Sequence, residues 1–168
     1  GEAGRRARGA VAALEAKGRL ALDAPGGEFL LTATADRIDA LGTGSLAIYD
    51  YKTGTPPSEK QIGVYNVQLQ LEAAIAEAGG FADVPAAPVT HLEYVGLSGA
   101  GAGGTSRLVD LTKHSAADAR GELGQLVARY DDPAQGYRSR ERLPREEFVG
   151  DYDQLARHGE WTGAEDGE

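Results

Sequence analysis

Two aspartates and a lysine stand in the apolar segments of the sequence that read most clearly as strands. Asp36 falls late in the segment 29–38, and Asp50 falls near the end of the segment 46–51. Lys52 lies two residues beyond Asp50. Residues i and i+2 of a strand face the same side of a sheet, so we expect Asp50 and Lys52 to project together. If the two segments pair as a hairpin, Asp36 comes to lie beside Asp50.

These residue types are suited to hydrolysis of a phosphodiester. Two neighbouring carboxylates repel each other unless a cation lies between them, and hard divalent ions such as Mg²⁺ prefer oxygen ligands. A nearby lysine can orient or deprotonate an attacking water, or neutralise charge on a phosphoryl group. The alternative is that Asp50 and Lys52 are solvated surface charges, but charges at the ends of core strands usually have a partner or a purpose.

The elements that must position these residues predict an α/β domain. Turn residues at 25–27 and 42–44 would join three strands into a meander. The order α-β-β-β-α-β-β-α predicts a central mixed sheet with helices on its faces. The expected elements are helices at 5–17, 60–78 (closed by Gly79 and Gly80), 115–129 and 153–158, strands at 19–23, 29–38, 46–51, 89–97 and 106–111, and a glycine-rich loop at 98–104.

Composition limits the class of protein. The chain has 168 residues, and 17 Lys and Arg against 26 Asp and Glu give a net charge of −9. This length suits one domain with a core of its own. The absence of cysteine excludes disulfides, thiolate zinc sites, cysteine-held iron–sulfur clusters and a cysteine nucleophile. No segment approaches the roughly 20 apolar residues of a membrane helix.

The negative charge is concentrated near the carboxyl end. Residues 131–168 hold 11 acids and 5 bases, a net charge of −6, which leaves −3 for residues 1–130. A domain this acidic is expected to bind DNA weakly by itself. The sequence contains no methionine. We expect it to be a piece of a longer protein whose other parts supply most of the DNA binding.

Two short runs carry a resemblance to a known family. The sequence DRID at 36–39, followed by DYKTG at 50–54, resembles the pattern of RecB-family nucleases of the PD-(D/E)XK superfamily. The helix 68–74 (QLQLEAA) resembles the segment that follows the catalytic lysine in that family. The runs 56–61, 79–81 and 151–156 resemble the carboxyl-terminal nuclease region of the bacterial AddB family, so that the likeness covers about residues 11–161.

This resemblance implies a restriction-endonuclease-like core and a set of site residues. Asp36 and Asp50 would bind Mg²⁺ or Mn²⁺ together with the backbone carbonyl of Tyr51, and Lys52 would be the catalytic lysine. Gln68 would face the site or the DNA. The sequence departs from the family at position 72, where a glutamate replaces a common aromatic residue. Some relatives carry an iron–sulfur cluster, which a chain without cysteine cannot hold.

Four further residues are weaker candidates. Lys60 could contact a phosphate, and Glu15 loosely matches an acidic residue that often precedes the meander, although an exposed charge at a helix end is an equally good interpretation. Arg37 is expected to face away from Asp36 and to pair with a neighbouring acid. Asp39, on the face opposite Asp36, is expected to be structural.

The resemblance implies a nuclease core at 1–130, truncated at its amino end, and an acidic tail at 131–168 packed on it. It implies a metal-dependent DNA exonuclease domain of an AddAB- or RecBCD-like helicase–nuclease in double-strand break repair. Such a domain would act on single-stranded ends beside an AddA-like subunit, at the nucleoid in the bacterial cytoplasm. Two alternatives stay open: a non-catalytic module for DNA-end binding or subunit contact, and a stand-alone RecB-like nuclease of phage or mobile elements.

Overall fold

The computed structural model of the protein describes residue 4 and residues 8–64, 66–97 and 105–136. The chain divides into two units, Gly1–Asp132 and Pro133–Glu168, and all the elements described below belong to the first. The predicted loop 98–104, the predicted helix 153–158 and the tail beyond residue 136 lie outside the described residues. The elements, in chain order, are β1 Gly9–Ala24, β2 Gly27–Leu41, β3 Leu46–Thr53, α1 Glu59–Val64, α2 Gln68–Glu77, β4 Val89–Leu97, β5 Ser106–Leu108 and α3 Ala116–Tyr130.

The five strands form one mixed sheet in the order β1-β2-β3-β4-β5. β3 and β4 are parallel, and the other neighbouring pairs are antiparallel. A parallel pair needs a long crossover, which α1 and α2 provide between β3 and β4. The predicted mixed sheet and β-meander are thus confirmed, and the architecture is that of a restriction-endonuclease-like α/β fold.

The helix predicted at 5–17 is wrong from Gly9 onward, where the chain is strand. β1 pairs with β2 along its whole length, from Gly9 opposite Leu41 to Ala24 opposite Gly27. The alanine-rich composition of this segment favours a helix only weakly, and pairing with a long neighbouring strand overrides that preference. A bulge interrupts the ladder near Val11, and Glu15 has a positive φ of 46°.

The single helix predicted at 60–78 is in fact two helices, α1 and α2. Glycine, valine and asparagine, which are poor helix formers, occupy positions 63, 64 and 66 between their centres. The Tyr94 hydroxyl of β4 donates a hydrogen bond to the Asn66 carbonyl at 3.0 Å. This contact gives a carbonyl at the break a partner from outside the helices, and it also sets where α2 begins beside the sheet.

α2 ends at the glycine pair, as the sequence predicts. Gly79 has a φ of +73°, a conformation that glycine adopts without steric cost. The amides of Gly79 and Gly80 donate to the carbonyls of Ala76 and Ile75 at 3.0 and 2.8 Å, which is the Schellman pattern. The chain then turns back to the sheet, where the Arg19 amide donates to the Gly80 carbonyl at 3.0 Å.

The core lies between the sheet and α2. Its centre consists of fully buried apolar side chains from four elements, among them Ile38, Ile48, Leu69, Ile75 and Leu92. α3 packs against α2 and β1, with the predicted Ser115 as its N-cap: the Ser115 hydroxyl accepts from the Asp118 amide at 3.0 Å. β5 is shorter than the predicted strand 106–111. No helix among the described residues is both long and apolar enough to span a bilayer.

Candidate active site

The register of β2 and β3 brings the two predicted aspartates to the same level of the sheet. The ladder pairs Arg37 with Tyr49 and Ile38 with Ile48, and its continuation by one residue sets Asp36 across from Asp50. At this level the Tyr51 amide donates to Asp36 Oδ2 at 2.7 Å. A side-chain carboxylate therefore replaces a backbone acceptor where the hairpin opens, and the carboxylate is held against β3.

Asp50 and Lys52 project together from β3, as strand alternation predicts. Asp50 is only 2% exposed, whereas the Lys52 side chain is 38% exposed. Lys52 Nζ lies 3.1 Å from Asp50 Oδ1, to which it donates, and 2.9 Å from Asp50 Oδ2. The buried carboxylate is thus paired with an ammonium group that reaches solvent, so that the pair can meet a ligand from outside.

One oxygen of Asp50 is paired within the described residues only through the nearby Lys52 ammonium. Among the described residues Asp50 Oδ2 accepts no hydrogen bond although it is buried, so the ion pair with Lys52 is its main compensation. A buried acceptor without a donor is costly, and a hard cation would satisfy it. The second carboxylate, that of Asp36, is half-buried.

The remaining predicted ligand, the Tyr51 carbonyl, lies on the same edge of β3. The N–H and C=O groups of a strand residue point to the same side, and the Tyr51 amide faces Asp36. No three His, Cys, Asp or Glu side chains within the described parts of the chain form a group that could hold a metal. Mg²⁺, however, is usually held by one or two carboxylates together with waters and substrate phosphates, and the donor set of Asp36, Asp50 and a carbonyl fits that pattern.

A chain of side-chain hydrogen bonds leads from Lys52 into α2. Lys52 Nζ donates to Gln68 Oε1 at 3.2 Å, and Gln68 Nε2 donates to Glu72 Oε1 at 2.9 Å. The Lys52 ammonium also lies 5.9 Å from the centre of the Tyr94 ring, within the range of a cation–π contact. The structure therefore brings Gln68 to the lysine, at the exposed mouth of the site.

Glu72 is the residue of this site that the sequence does not reveal. It is 1% exposed, and burial raises the pKa of its carboxyl to about 7, against the hydrogen bond from Gln68, which lowers the pKa. The charges of Asp50 and Asp36 raise the pKa further, and that of Lys52 lowers it. The only signal in the sequence is the departure at position 72 from the RecB-family pattern that the chain resembles, and that departure does not predict a contact.

Lys60 and Glu15 are not brought into the hydrogen-bonded site. Lys60 is exposed on α1 and, within the described residues, forms no ion pair or hydrogen bond. Glu15 lies on β1 between the partners of Arg37 and Ala35, so its backbone is level with Asp36, but its side chain is exposed. The roles suggested for both residues stay predictions.

Arg37 and Asp39 form a buried pair that does not belong to the site. Arg37 Nε and a second guanidinium nitrogen donate to the two oxygens of Asp39, both at 2.7 Å. The Arg37 guanidinium lies over the ring of Tyr49 on the neighbouring strand β3. Both side chains are on the side of the sheet opposite Asp36. The expected pairing of Arg37 with a neighbouring acid is confirmed, and a two-pronged pair of this kind satisfies both charges where water is excluded.

Comparison with known proteins assigns this arrangement to a family. Residues 2–147 match the PD-(D/E)XK nuclease superfamily, and this range contains every residue of the candidate site. The chain belongs to the PD-(D/E)XK nuclease superfamily. Membership supports nuclease activity, that is, hydrolysis of phosphodiester bonds, and agrees with the mixed sheet and helices of the fold.

Individual relatives add little about the whole protein. Uncharacterized proteins of Rickettsia conorii and Rickettsia felis are each 37% identical to this chain over 68 residues, which is 40% of this chain. The match spans only 8% of the length of each of these relatives. No solved structure matches the chain significantly.

Proposed function

We propose that this chain is a metal-dependent deoxyribonuclease domain that hydrolyses phosphodiester bonds of DNA. One observation carries the proposal: in a member of a nuclease superfamily, pairing of β2 with β3 sets Asp36 and Asp50 at one level of the sheet, and Lys52 projects beside Asp50. Two carboxylates and an ammonium group at the opening of a hairpin are the parts that metal-assisted phosphodiester hydrolysis needs.

In this proposal the two carboxylates hold Mg²⁺ or Mn²⁺ together with the Tyr51 carbonyl. The bound ion would supply positive charge to the scissile phosphate and acidify a water. Asp50 keeps Lys52 in place through its ion pair. The Lys52 ammonium, which donates three hydrogen bonds, can orient a water and neutralise charge that develops on the phosphate.

A groove on the β1–β2 hairpin supports nucleic acid as the substrate. It has a volume of about 860 Å³ and is lined by Lys17, Arg19, Thr32 and Thr34 and by the chain after α2. Lys17 pairs with Thr34 and Arg19 with Thr32 across β1 and β2, and directly opposed residues share a face. Neither cation forms an ion pair with the described residues, so both can face a polyanion.

This basic groove lies on the strand that also carries Asp36. Thr32 and Thr34 share the exposed face of β2, opposite Ala33 and Ala35, whose side chains pack in the core. Two residues of strand span about 7 Å, so Thr34 is one such step from Asp36. A single strand whose phosphates contact Lys17 and Arg19 would have to cross from that face to the carboxylates, because Lys52 contacts Gln68 on the α2 side of the sheet.

The finer assignment rests on the sequence resemblance. The DRID and DYKTG runs and the helix from Gln68 support an exonuclease acting on single-stranded ends, in an AddAB- or RecBCD-like machine for double-strand break repair. An AddA-like helicase subunit would then be the partner, at the nucleoid in the bacterial cytoplasm. The alternative, a non-catalytic module that binds DNA ends or a subunit, is favoured by the absence, among the described residues, of a group of three His, Cys, Asp or Glu side chains that could hold a metal.

The test is degradation of labelled DNA by the wild-type chain and two variants, Asp36→Asn and Asp50→Asn. We expect cleavage with Mg²⁺ or Mn²⁺, none with EDTA, and a loss of at least about 100-fold in each variant, because an amide replaces an anionic ligand. Asp23→Asn, an exposed aspartate of β1, is the matched control and should cleave like wild type. Comparison of single-stranded DNA, double-stranded DNA and RNA then gives the substrate.

An absence of cleavage by the wild-type protein with either metal ion would refute the enzyme and favour the binding module. Cleavage that is equal in wild type and in both aspartate variants would place the chemistry elsewhere.

A further inference from the structure

The Gln68 amide lies between an ammonium group, which can only donate, and the Glu72 carboxyl, which can only accept when it is ionised. Lys52 Nζ donates to its Oε1 at 3.2 Å, and its Nε2 donates to Glu72 Oε1 at 2.9 Å. An ammonium group has no acceptor, and an ionised carboxylate has no donor. Only one orientation of the amide satisfies both neighbours, so Glu72 selects the end of Gln68 that faces Lys52.

The site without this carboxylate would lose that selection. Gln68 is exposed and lies at the first position of α2, and within the described residues no other hydrogen bond restrains its amide. If the amide turned over, its NH₂ group would face the Lys52 ammonium, and two donors would oppose each other. The ammonium would then keep Asp50 as its hydrogen-bond acceptor but lose Gln68.

Glu72 is also placed at a cost that packing alone does not explain. Its side chain is 1% exposed among apolar residues of α2, and its Oε2 has no hydrogen-bond partner in the described part of the chain. A buried carboxylate with one free oxygen destabilises a fold. An apolar or aromatic side chain at this position would bury the same space without that cost.

We propose that Glu72 is a positioning residue, which acts through Gln68 to hold the Lys52 ammonium beside Asp50. The proposal rests on the function proposed above, because it treats Lys52 as the group that works on the phosphate. Glu72 stands where the resembled pattern commonly has an aromatic residue, and it positions Lys52 through a hydrogen bond with Gln68.

The experiment measures steady-state cleavage of single-stranded DNA by Glu72→Gln, Gln68→Ala and the double variant. Glu72→Gln keeps the shape of the side chain but can pair with either end of Gln68, because its amide can accept from the Gln68 NH₂ group or donate to the Gln68 carbonyl oxygen. We expect a fall in kcat of about 10- to 100-fold, as for other residues that orient a site residue without touching the substrate. The KM should stay within about twofold of the wild-type value. Because Gln68 and Glu72 act in one series of hydrogen bonds, Gln68→Ala should lower kcat to a similar extent. The kcat of the double variant should be no lower than that of either single variant.

A matched control lies on the same helix. Glu77→Gln makes the same change at an exposed glutamate that accepts from the Val89 amide, and it should keep the wild-type kcat. A second readout needs neither metal nor activity: the side-chain amide signals of Gln68 in an NMR spectrum, identified by their loss in Gln68→Ala. These signals should move in Glu72→Gln and stay in place in Glu77→Gln.

The outcomes separate this proposal from the proposed function. If wild type cleaves and Glu72→Gln retains kcat within about twofold, or if the losses of the two single variants multiply in the double variant, the positioning role is wrong while the nuclease stands. If wild type does not cleave, the function fails, and the NMR signals alone decide whether Glu72 orients Gln68: unmoved signals in Glu72→Gln refute it.

Discussion

At the scale of single residues, Glu72 combines a contact useful to the site with a cost to the fold. Its carboxyl is removed from water, which raises its pKa to about 7, and the nearby charges of Asp50 and Asp36 raise it further. The unfolded chain has no such environment, so its carboxyl titrates near the ordinary value of 4.5. The difference between the two states makes stability depend on pH.

The sign of that dependence follows from the raised pKa. Below pH 4.5 the carboxyl is protonated in both states and costs nothing extra; between pH 4.5 and 7 only the unfolded state loses its proton, and stability falls. Above pH 7 the accumulated cost is on the order of 3 kcal/mol, at 1.36 kcal/mol for each pKa unit.

Glu72→Gln should therefore be more stable than wild type at pH 8 and similar to it at pH 4.5. Its free energy of unfolding in urea, measured without metal at both pH values, should exceed that of wild type by up to about 3 kcal/mol at pH 8. A gain in stability together with a loss of kcat would show that Glu72 contributes to activity and lowers the stability of the fold. Equal differences from wild type at the two pH values would contradict the raised pKa.

The residues of the site differ in how far the sequence reveals them. Asp36, Asp50 and Lys52 could be placed together from strand alternation and a hairpin turn, which are local features. Glu72 could not, because its proximity to Lys52 depends on how α2 docks against β3. Docking is a long-range property, and a helical pattern alone does not say which side chain faces a given strand.

At the scale of elements, local preference and long-range pairing disagree in two places. The segment that begins at Gly9 has the composition of a helix, yet it pairs with β2; its Val11 and Leu14 are 49% and 63% exposed rather than forming a buried helical face. The break between α1 and α2 is accompanied by a contact from Tyr94, which lies far along the chain. The turns, β3, β4 and α3 were predictable because their signals are local: glycine turns, apolar runs and a serine cap.

The β1–β2 hairpin carries the basic groove, and its contribution to DNA binding can be tested. Lys17→Glu combined with Arg19→Glu should weaken binding of single-stranded DNA at least about tenfold, because two phosphate contacts become repulsive. The slope of log affinity against log salt concentration should fall by about 1.4 for the two lost contacts. Fluorescence anisotropy with Ca²⁺ in place of Mg²⁺ measures both.

The control changes the net charge equally on another element. Arg120→Glu combined with Arg129→Glu alters two exposed arginines of α3 and should weaken binding much less. Equal weakening by the two double variants would show that overall charge, rather than the groove, determines affinity.

At the scale of the whole molecule, a net charge of −9 must be reconciled with a polyanionic substrate. Most of the excess acid lies beyond residue 130, and three of the remaining carboxylates, Asp36, Asp50 and Glu72, belong to the site. The two unpaired cations of the groove are therefore a local exception on an acidic protein. We expect binding to be weak and strongly dependent on salt, with cleavage directed by the site.

In the proposed nuclease, Lys52 acts in the chemistry at the carboxylate site rather than in holding the fold or the DNA. The direct measurement is the single-turnover rate of cleavage of saturating single-stranded DNA with Mn²⁺, for wild type and Lys52→Ala, beside their DNA affinities in Ca²⁺. We predict a rate about 100- to 1,000-fold lower in the variant, with affinity changed by no more than about threefold, as expected for one exposed charge. Equal cleavage rates for the two proteins would contradict the account.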